Sequence, residues 1–265
     1  MTIIQAIILA IVEGMTEFLP ISSTAHMKFA NLFIGVTPDP FSDLFEIVIQ
    51  LIAILAVVVV YYKKFFDFTR ASFYIKLIIA LIPAVIFGLL LKKRIDAALE
   101  NLYFISWVMI GGGILFLFVD RWFSHPTIES ERRVSNGTAF RIGCFQVLSI
   151  ILPGFSRSGA TIIGGMSQGL NRKAAAEFSF FLAVPTMLAA SVKSLWDVNK
   201  EHPEVLTKDN ATLLGLSGIV TFLVAIVVIR FFIAFLQKHG FRVWGYYRIV
   251  IGLLMLFLLW RGILP

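Results

Sequence analysis

The nine residues Pro153-Gly154-Phe155-Ser156-Arg157-Ser158-Gly159-Ala160-Thr161 set one arginine among three hydroxyls and two glycines. A guanidinium, hydroxyls and free backbone N–H groups are the donors that cradle phosphate oxygens, and Gly159 allows an anion close to the backbone. Ser156, Arg157, Ser158 and Thr161 are therefore candidate anion-binding residues. A second polar cluster opens the chain: Glu13, Glu17, Ser22, Ser23, Thr24 and His26. Glu13 and Glu17, four apart, share a helical face with about 6 Å between their Cβ atoms. Such a pair either shares a proton, giving a general acid or base, or holds a divalent cation through oxygens, as Mg²⁺ at a phosphate is held. Mg²⁺ or Ca²⁺ is the candidate cofactor, with Glu13 and Glu17 as its ligands. His26, three residues beyond Ser23, can serve that hydroxyl as base, or a leaving group as acid.

The elements that position these groups must be stable in lipid. Of 265 residues, 58% are hydrophobic, 26 are Phe, and the mean hydropathy is +0.89, whereas soluble domains are about 45 to 50% apolar. The chain reads as an integral membrane protein. A charged group at membrane depth costs about 2.5 to 3.5 kcal/mol, so one that persists there faces water, a partner or a ligand. The net charge of +7 comes from short basic clusters between apolar runs, which anchor the chain at membrane lipids and do not suggest a nucleic-acid partner. The single Cys144 excludes an internal disulfide and a thiolate metal cluster, and its apolar neighbours predict a buried thiol. The start of the chain has no basic segment and no Ala-x-Ala site, so it reads as part of the fold and not as a cleaved leader.

Residues 2–12 are apolar, but Glu13, Glu17 and Pro20 stop the run at about half the roughly 20 residues a spanning helix needs. Residues 139–152 stop similarly at Pro153. Both segments are predicted to be re-entrant hairpins, because bare backbone at membrane depth is tolerated only inside protein or beside a wet cavity. The remaining apolar runs predict six spans, 44–62, 74–91, 102–120, 176–193, 211–230 and 243–260, with Pro83 kinking the second. The expected fold is all-α: one membrane domain, 1–265, of six transmembrane helices and two re-entrant helical hairpins.

The two short segments also align. With Pro20 on Pro153, Glu13 meets Gln146, Glu17 meets Ile150, Ser23 meets Ser156 and His26 meets Gly159. Glu46 and Glu177 then each open a full span. This predicts two halves, about 1–120 and 139–265, joined by the polar loop 121–138. Three spans per half would invert the second, so that the hairpin tips meet near the midplane. Arg248 lies inside the last span, where it either snorkels to the interface or pairs with a carboxylate or phosphate. Glu46, Gln50 and Glu177 are read as braces for the hairpins, Gly111-Gly112-Gly113 as a close helix contact, and His125, His202 and His239 as solvated.

Over its full length the chain closely resembles the bacterial undecaprenyl-diphosphate phosphatases of the bacitracin-resistance type. The resemblance rests on Glu13-Gly14-x-Thr16-Glu17-Phe18-Leu19-Pro20-x-Ser22-Ser23-Thr24-x-His26, on the Pro153 to Thr161 loop, and on Glu177-Phe178-Ser179-Phe180. It implies catalytic roles for Glu17, Ser23, His26 and Arg157. It implies substrate-binding roles for Glu13, Ser22, Thr24, Ser156, Ser158, Thr161 and Arg248. Ala25 stands where many relatives have Gly. The implied reaction is hydrolysis of undecaprenyl diphosphate, a polyprenyl diphosphate lipid, to undecaprenyl phosphate and inorganic phosphate. That reaction recycles the carrier for peptidoglycan synthesis, cell wall biogenesis and cell shape, and confers antibiotic resistance. Ser23 is the expected nucleophile with His26 as proton partner, and attack by an activated water is the alternative. A second copy of the chain is a candidate partner.

The phosphatidic-acid phosphatase type fails here, because the position that needs His after Ser156-Arg157 is Ile163 and no Arg-Pro dipeptide exists. A transporter or flippase is the rival from another class, and phosphate release in detergent separates the two. For orientation in the bacterial inner membrane, one set of loops carries Lys63, Lys64, Arg70, Arg121, Arg132, Arg133, Arg141, Arg172, Lys173, Arg230, Lys238 and Arg242. The other carries Lys92, Lys93, Arg94, Lys193, Lys200, Lys208 and Arg261. The richer set is expected in the cytoplasm. Both termini and the pocket then face the periplasm.

Overall fold

The computed structural model describes residues 1–67, 71–205 and 207–263, so Arg70 of the basic set lies outside the described residues. Two short helices, α1 (Ile3–Thr16) and α2 (Ser23–Ile34), form a first hairpin. The chain continues through α3 (Pro40–Val60), a single turn α4 (Tyr62–Phe65), α5 (Ala71–Leu90), α6 (Lys92–Glu100) and α7 (Leu102–Trp122). A second hairpin follows, α8 (Asn136–Ile151) and α9 (Arg157–Ser167), and then α10 (Arg172–Glu201), α11 (Lys208–His239) and α12 (Arg242–Trp260). No strand occurs among the described residues.

Six of these helices, α3, α5, α7, α10, α11 and α12, are long and apolar enough to cross a bilayer. Each predicted span coincides with one of them, overrunning its C-terminal end by at most two residues, which establishes the all-α membrane fold. At 30 and 32 residues, α10 and α11 are longer than the apolar runs suggested. Capped polar turns extend them, such as the one begun by Asn171, whose side chain accepts the Ala174 N–H. α5 runs through Pro83 as one helix. α1, at 14 residues, spans only about 21 Å at 1.5 Å per residue and cannot cross a hydrocarbon core of about 30 Å.

The packing interleaves the two ends of the chain. α1 lies on α11 and α8 lies on α5, α3 meets α10 and α11, and α7 runs along α12. The α7 and α12 backbones nearly touch at Gly113 and Gly245, where a Cβ on either would stand 2.8 Å from the other's carbonyl oxygen. Small residues permit that approach. Cys144, expected to be buried, is exposed on α8, because the face of α8 that packs on α5 is the one carrying Gly143 and not its neighbour.

Away from the hairpin turns, Lys64 donates to Glu131 and Glu177, both at 2.9 Å, tying the 121–138 loop to α10. Burial alone would raise the Glu131 carboxyl, but the Lys64 hydrogen bond and charge hold it below the usual carboxylate value. Glu177 thus braces the second hairpin's neighbour helix, as Glu46 braces the first hairpin by accepting from Asn31 at 2.6 Å. Lys64→Ala strands two carboxylates in a largely buried site. We expect it to cost about 3 kcal/mol, the low end for breaking a buried pair. Thermal unfolding in detergent should show the loss, and Lys64→Ala combined with Glu131→Gln and Glu177→Gln should recover most of it.

Candidate active site

Each hairpin turns at a serine in a left-handed backbone. Ser22 (φ 72°) and Ser156 (φ 80°) are the non-glycine residues with positive φ among those described. Such a conformation costs on the order of 1–3 kcal/mol and persists only where its surroundings impose it. Here each serine caps the second helix of its hairpin. The Ser22 hydroxyl accepts the Ala25 N–H at 3.3 Å, and the Ser156 hydroxyl accepts the Gly159 N–H at 3.2 Å. Superposing the hairpins on these caps shifts the register from the one that the two prolines give. Ser22 matches Ser156, and Ser23 matches Arg157, one residue away from the proline alignment.

The turns are stitched together from behind. Ser158 Oγ donates to the Leu19 carbonyl at 2.9 Å, and its contact with Ser156 Oγ is 3.0 Å. Thr161 Oγ1 donates to the Arg157 carbonyl at 2.9 Å and lies 2.6 Å from Ser179 Oγ. Arg248 is fully buried. Its Nη1 donates to the Pro20 and Phe155 carbonyls at 3.2 and 2.8 Å, and its Nη2 to the Gly154 carbonyl at 2.9 Å. The Phe116 ring lies 4.8 Å from its guanidinium carbon, and only a glycine at 112 leaves room for Nη2. Arg248, expected on the substrate or at the interface, is held inside the protein, where its Nη atoms donate to carbonyls of both turns while its Nε keeps no partner. Ser158 and Thr161, expected on the substrate, likewise stand behind the loop.

In front of the turns lies a cleft of about 380 Å³, lined by Glu17, Ser22, Ser23, Thr24, Ser156 and Arg157. Glu17 is its centre. Oε1 accepts from Arg157 Nη2 at 2.9 Å, and Oε2 accepts from Ser23 Oγ at 2.6 Å. Arg157 also donates to the Ser179 carbonyl at 3.3 Å. The first turns of α2 and α9 line the cleft, so the positive ends of two helix dipoles and their free N–H groups converge there. His26 does not contact Ser23. Its Nδ1 sits 2.8 Å from the Ser22 carbonyl and its Nε2 2.8 Å from the Tyr247 hydroxyl, which steadies the strained Ser22. The side-chain hydrogen-bond partner of Ser23 is Glu17.

Sequence reasoning missed Tyr247, Ser179 and the α6 residues Ile95 and Leu99, which close one end of the cleft. The spacing of four between Ile95 and Leu99 beside Lys92, Lys93 and Arg94 was the signal for an amphipathic helix.

Glu13 is 2% exposed, within hydrogen-bond reach of Glu17, and Glu46 adds a further carboxylate nearby. Its Oε1 is buried with no hydrogen-bond partner. No cluster of three or more metal-ligating side chains exists among the described residues. Two neighbouring carboxylates, one with a buried oxygen that lacks a partner, are the donor type that Mg²⁺ takes beside phosphate oxygens.

The description "Bacitracin resistance protein BacA" belongs to a family model that matches residues 6–254. A Flavobacterium psychrophilum protein named undecaprenyl-diphosphatase is 54% identical over 256 residues, covering 97% of this chain and 95% of that protein. Proteins of the same name from Porphyromonas gingivalis and Bdellovibrio bacteriovorus are 46% and 42% identical, each covering 99% of this chain and 99% and 98% of their own lengths. With its motifs and its matched length agreeing, the chain belongs to the bacitracin resistance protein BacA family.

Proposed function

We propose that this membrane protein hydrolyses undecaprenyl diphosphate to undecaprenyl phosphate and inorganic phosphate, recycling the lipid carrier for peptidoglycan synthesis and so conferring bacitracin resistance. The observation that carries the reading is the chain Ser23, Glu17, Arg157 in one cleft, a hydroxyl, its base and a phosphate-binding fork joined by bonds of 2.6 and 2.9 Å. The names of the relatives support the same substrate.

In this reading Arg157 turns its fork from Glu17 to the terminal phosphate, and the N–H groups opening α2 and α9 bind the remaining oxygens. Ser23 Oγ attacks the terminal phosphorus while its proton passes to Glu17. The bond from that phosphorus to the bridging oxygen breaks, and undecaprenyl phosphate leaves with the proton. A water then attacks the phosphoserine, its proton passing through Glu17 to Ser23 Oγ as inorganic phosphate departs. A Mg²⁺ or Ca²⁺ held by Glu13 and Glu17 would neutralise charge on the diphosphate oxygens. Arg157 and the N–H groups oppose the charge that develops on the transferred phosphoryl, and stabilisation of that charge dominates catalysis in reactions of this kind.

The test is release of phosphate from undecaprenyl diphosphate by the purified protein in detergent, where a pure transporter releases none. Activity should fall in EDTA and return with Mg²⁺ or Ca²⁺; full turnover in chelator would confine Glu13 and Glu17 to proton transfer.

The two hairpins are read as re-entrant from opposite faces, and the halves 1–120 and 139–265 as an inverted repeat. The pairing of α1 with α11 and of α8 with α5 supports this, since exchanging the halves carries one contact into the other. The cleft is lined in part by α6, whose Lys92, Lys93 and Arg94 belong to the face that the basic-residue count assigns to the periplasm. In a Cys144→Ser background, an impermeant thiol reagent applied to intact cells should label a cysteine at Lys200 and spare one at Ser130. Labelling at 130 alone would turn the cleft to the cytoplasm.

A further inference from the structure

An apolar groove of about 490 Å³ runs beside the cleft between α5 and α10. Ala84, Val85 and Gly88 form one wall, and Thr186, Ala189 and Ala190 form the other. Ile150 and Ala190 line both groove and cleft, so the two spaces are continuous. The geometry points to this groove as the seat of the first isoprene units of the polyprenyl diphosphate. The inference deepens the diphosphatase reading and rests on it.

A lipid whose phosphates sit at Arg157 must leave the cleft through an apolar exit. This groove leaves past Ile150, at the end of the helix that leads into the Arg157 turn. Lys92, Lys193 and Asp197 hold its polar end where α6 begins, and the apolar walls run from there along α5 and α10. Small side chains make the space: a Cβ at Gly88 would meet nothing within 4 Å. Leu81 and Leu89 on α5 stand about 12 Å apart at 1.5 Å per residue, which accommodates the start of a branched isoprenoid chain and leaves the rest in lipid.

Gly88→Phe and Ala189→Phe fill the groove from opposite walls, at positions that do not line the cleft. Each should be assayed in detergent on undecaprenyl diphosphate and on isopentenyl diphosphate, which carries the same phosphates on five carbons. For either variant that elutes as wild type does, we expect kcat/KM on undecaprenyl diphosphate to fall at least about tenfold, the scale of losing methylene-sized contacts. The loss should fall mainly on KM, and turnover of isopentenyl diphosphate should match that of the wild type. Equal losses on both substrates would show a distorted cleft, and no loss on either would show a groove filled by bilayer lipid. Both overturn the inference. Wild-type protein inactive on both probes would instead overturn the diphosphatase reading itself.

Discussion

Glu17→Gln should lower kcat by about 10³, within the 10² to 10⁴ range for removing a positioned general base. Gln keeps the shape and can still accept from Ser23, but it cannot take the proton that the 2.6 Å contact is set to transfer. It also removes the charge that orients Arg157 at 2.9 Å, so two functions are lost together. Glu13→Gln should be milder, because Glu13 touches neither Ser23 nor Arg157 through a hydrogen bond and its Oε1 has no partner to lose. Equal losses in the two variants, measured as initial phosphate release under saturating substrate, would remove Glu17 from the centre of the site.

Arg157→Lys should lower kcat by about 10² to 10³, the usual cost of one contact to developing charge. Lysine keeps the positive charge and can still neutralise Glu17, so the fold should survive. What it lacks is the planar fork. Arg157 uses Nη2 on Glu17 and Nη1 on the Ser179 carbonyl at once, and a point charge on a flexible stem cannot hold two phosphate oxygens in that manner. Turnover within about threefold of wild type would mean that charge alone suffices there.

The legibility of this molecule in its sequence follows the range of each interaction. Spans are long apolar runs, a local property, and all six emerge where hydropathy places them. The hairpin breaks were visible because Pro20 and Pro153 each close an apolar run too short to span and are followed closely by polar residues. The register between the hairpins was not. Aligning prolines paired Ser23 with Ser156, but the second turn has one more residue between proline and cap, and only backbone angles reveal that both caps are left-handed. Residue type alone left Arg248 either snorkelling to the interface or paired inside the protein. It could not distinguish a phosphate from four backbone carbonyls, since both satisfy the same guanidinium donors. His26 was drawn toward Ser23 by proximity in sequence, and its partner Tyr247 lies 221 residues away. The contact of Ser23 with Glu17 spans six residues across the turn, and it depends on the Ser22 strain that His26 and Arg248 help to hold.

The most direct test of the account is to locate the transferred phosphate. Purified protein should be mixed with undecaprenyl diphosphate, quenched in acid before the first turnover is complete, and digested for mass spectrometry. The account predicts phosphate on Ser23 in the wild type, none in Ser23→Ala, and a loss of steady-state turnover in that variant of at least about 10³. Phosphate trapped on another residue, or Ser23→Ala turning over within about threefold of wild type, would contradict it and leave the hydroxyl a binding group for an attacking water.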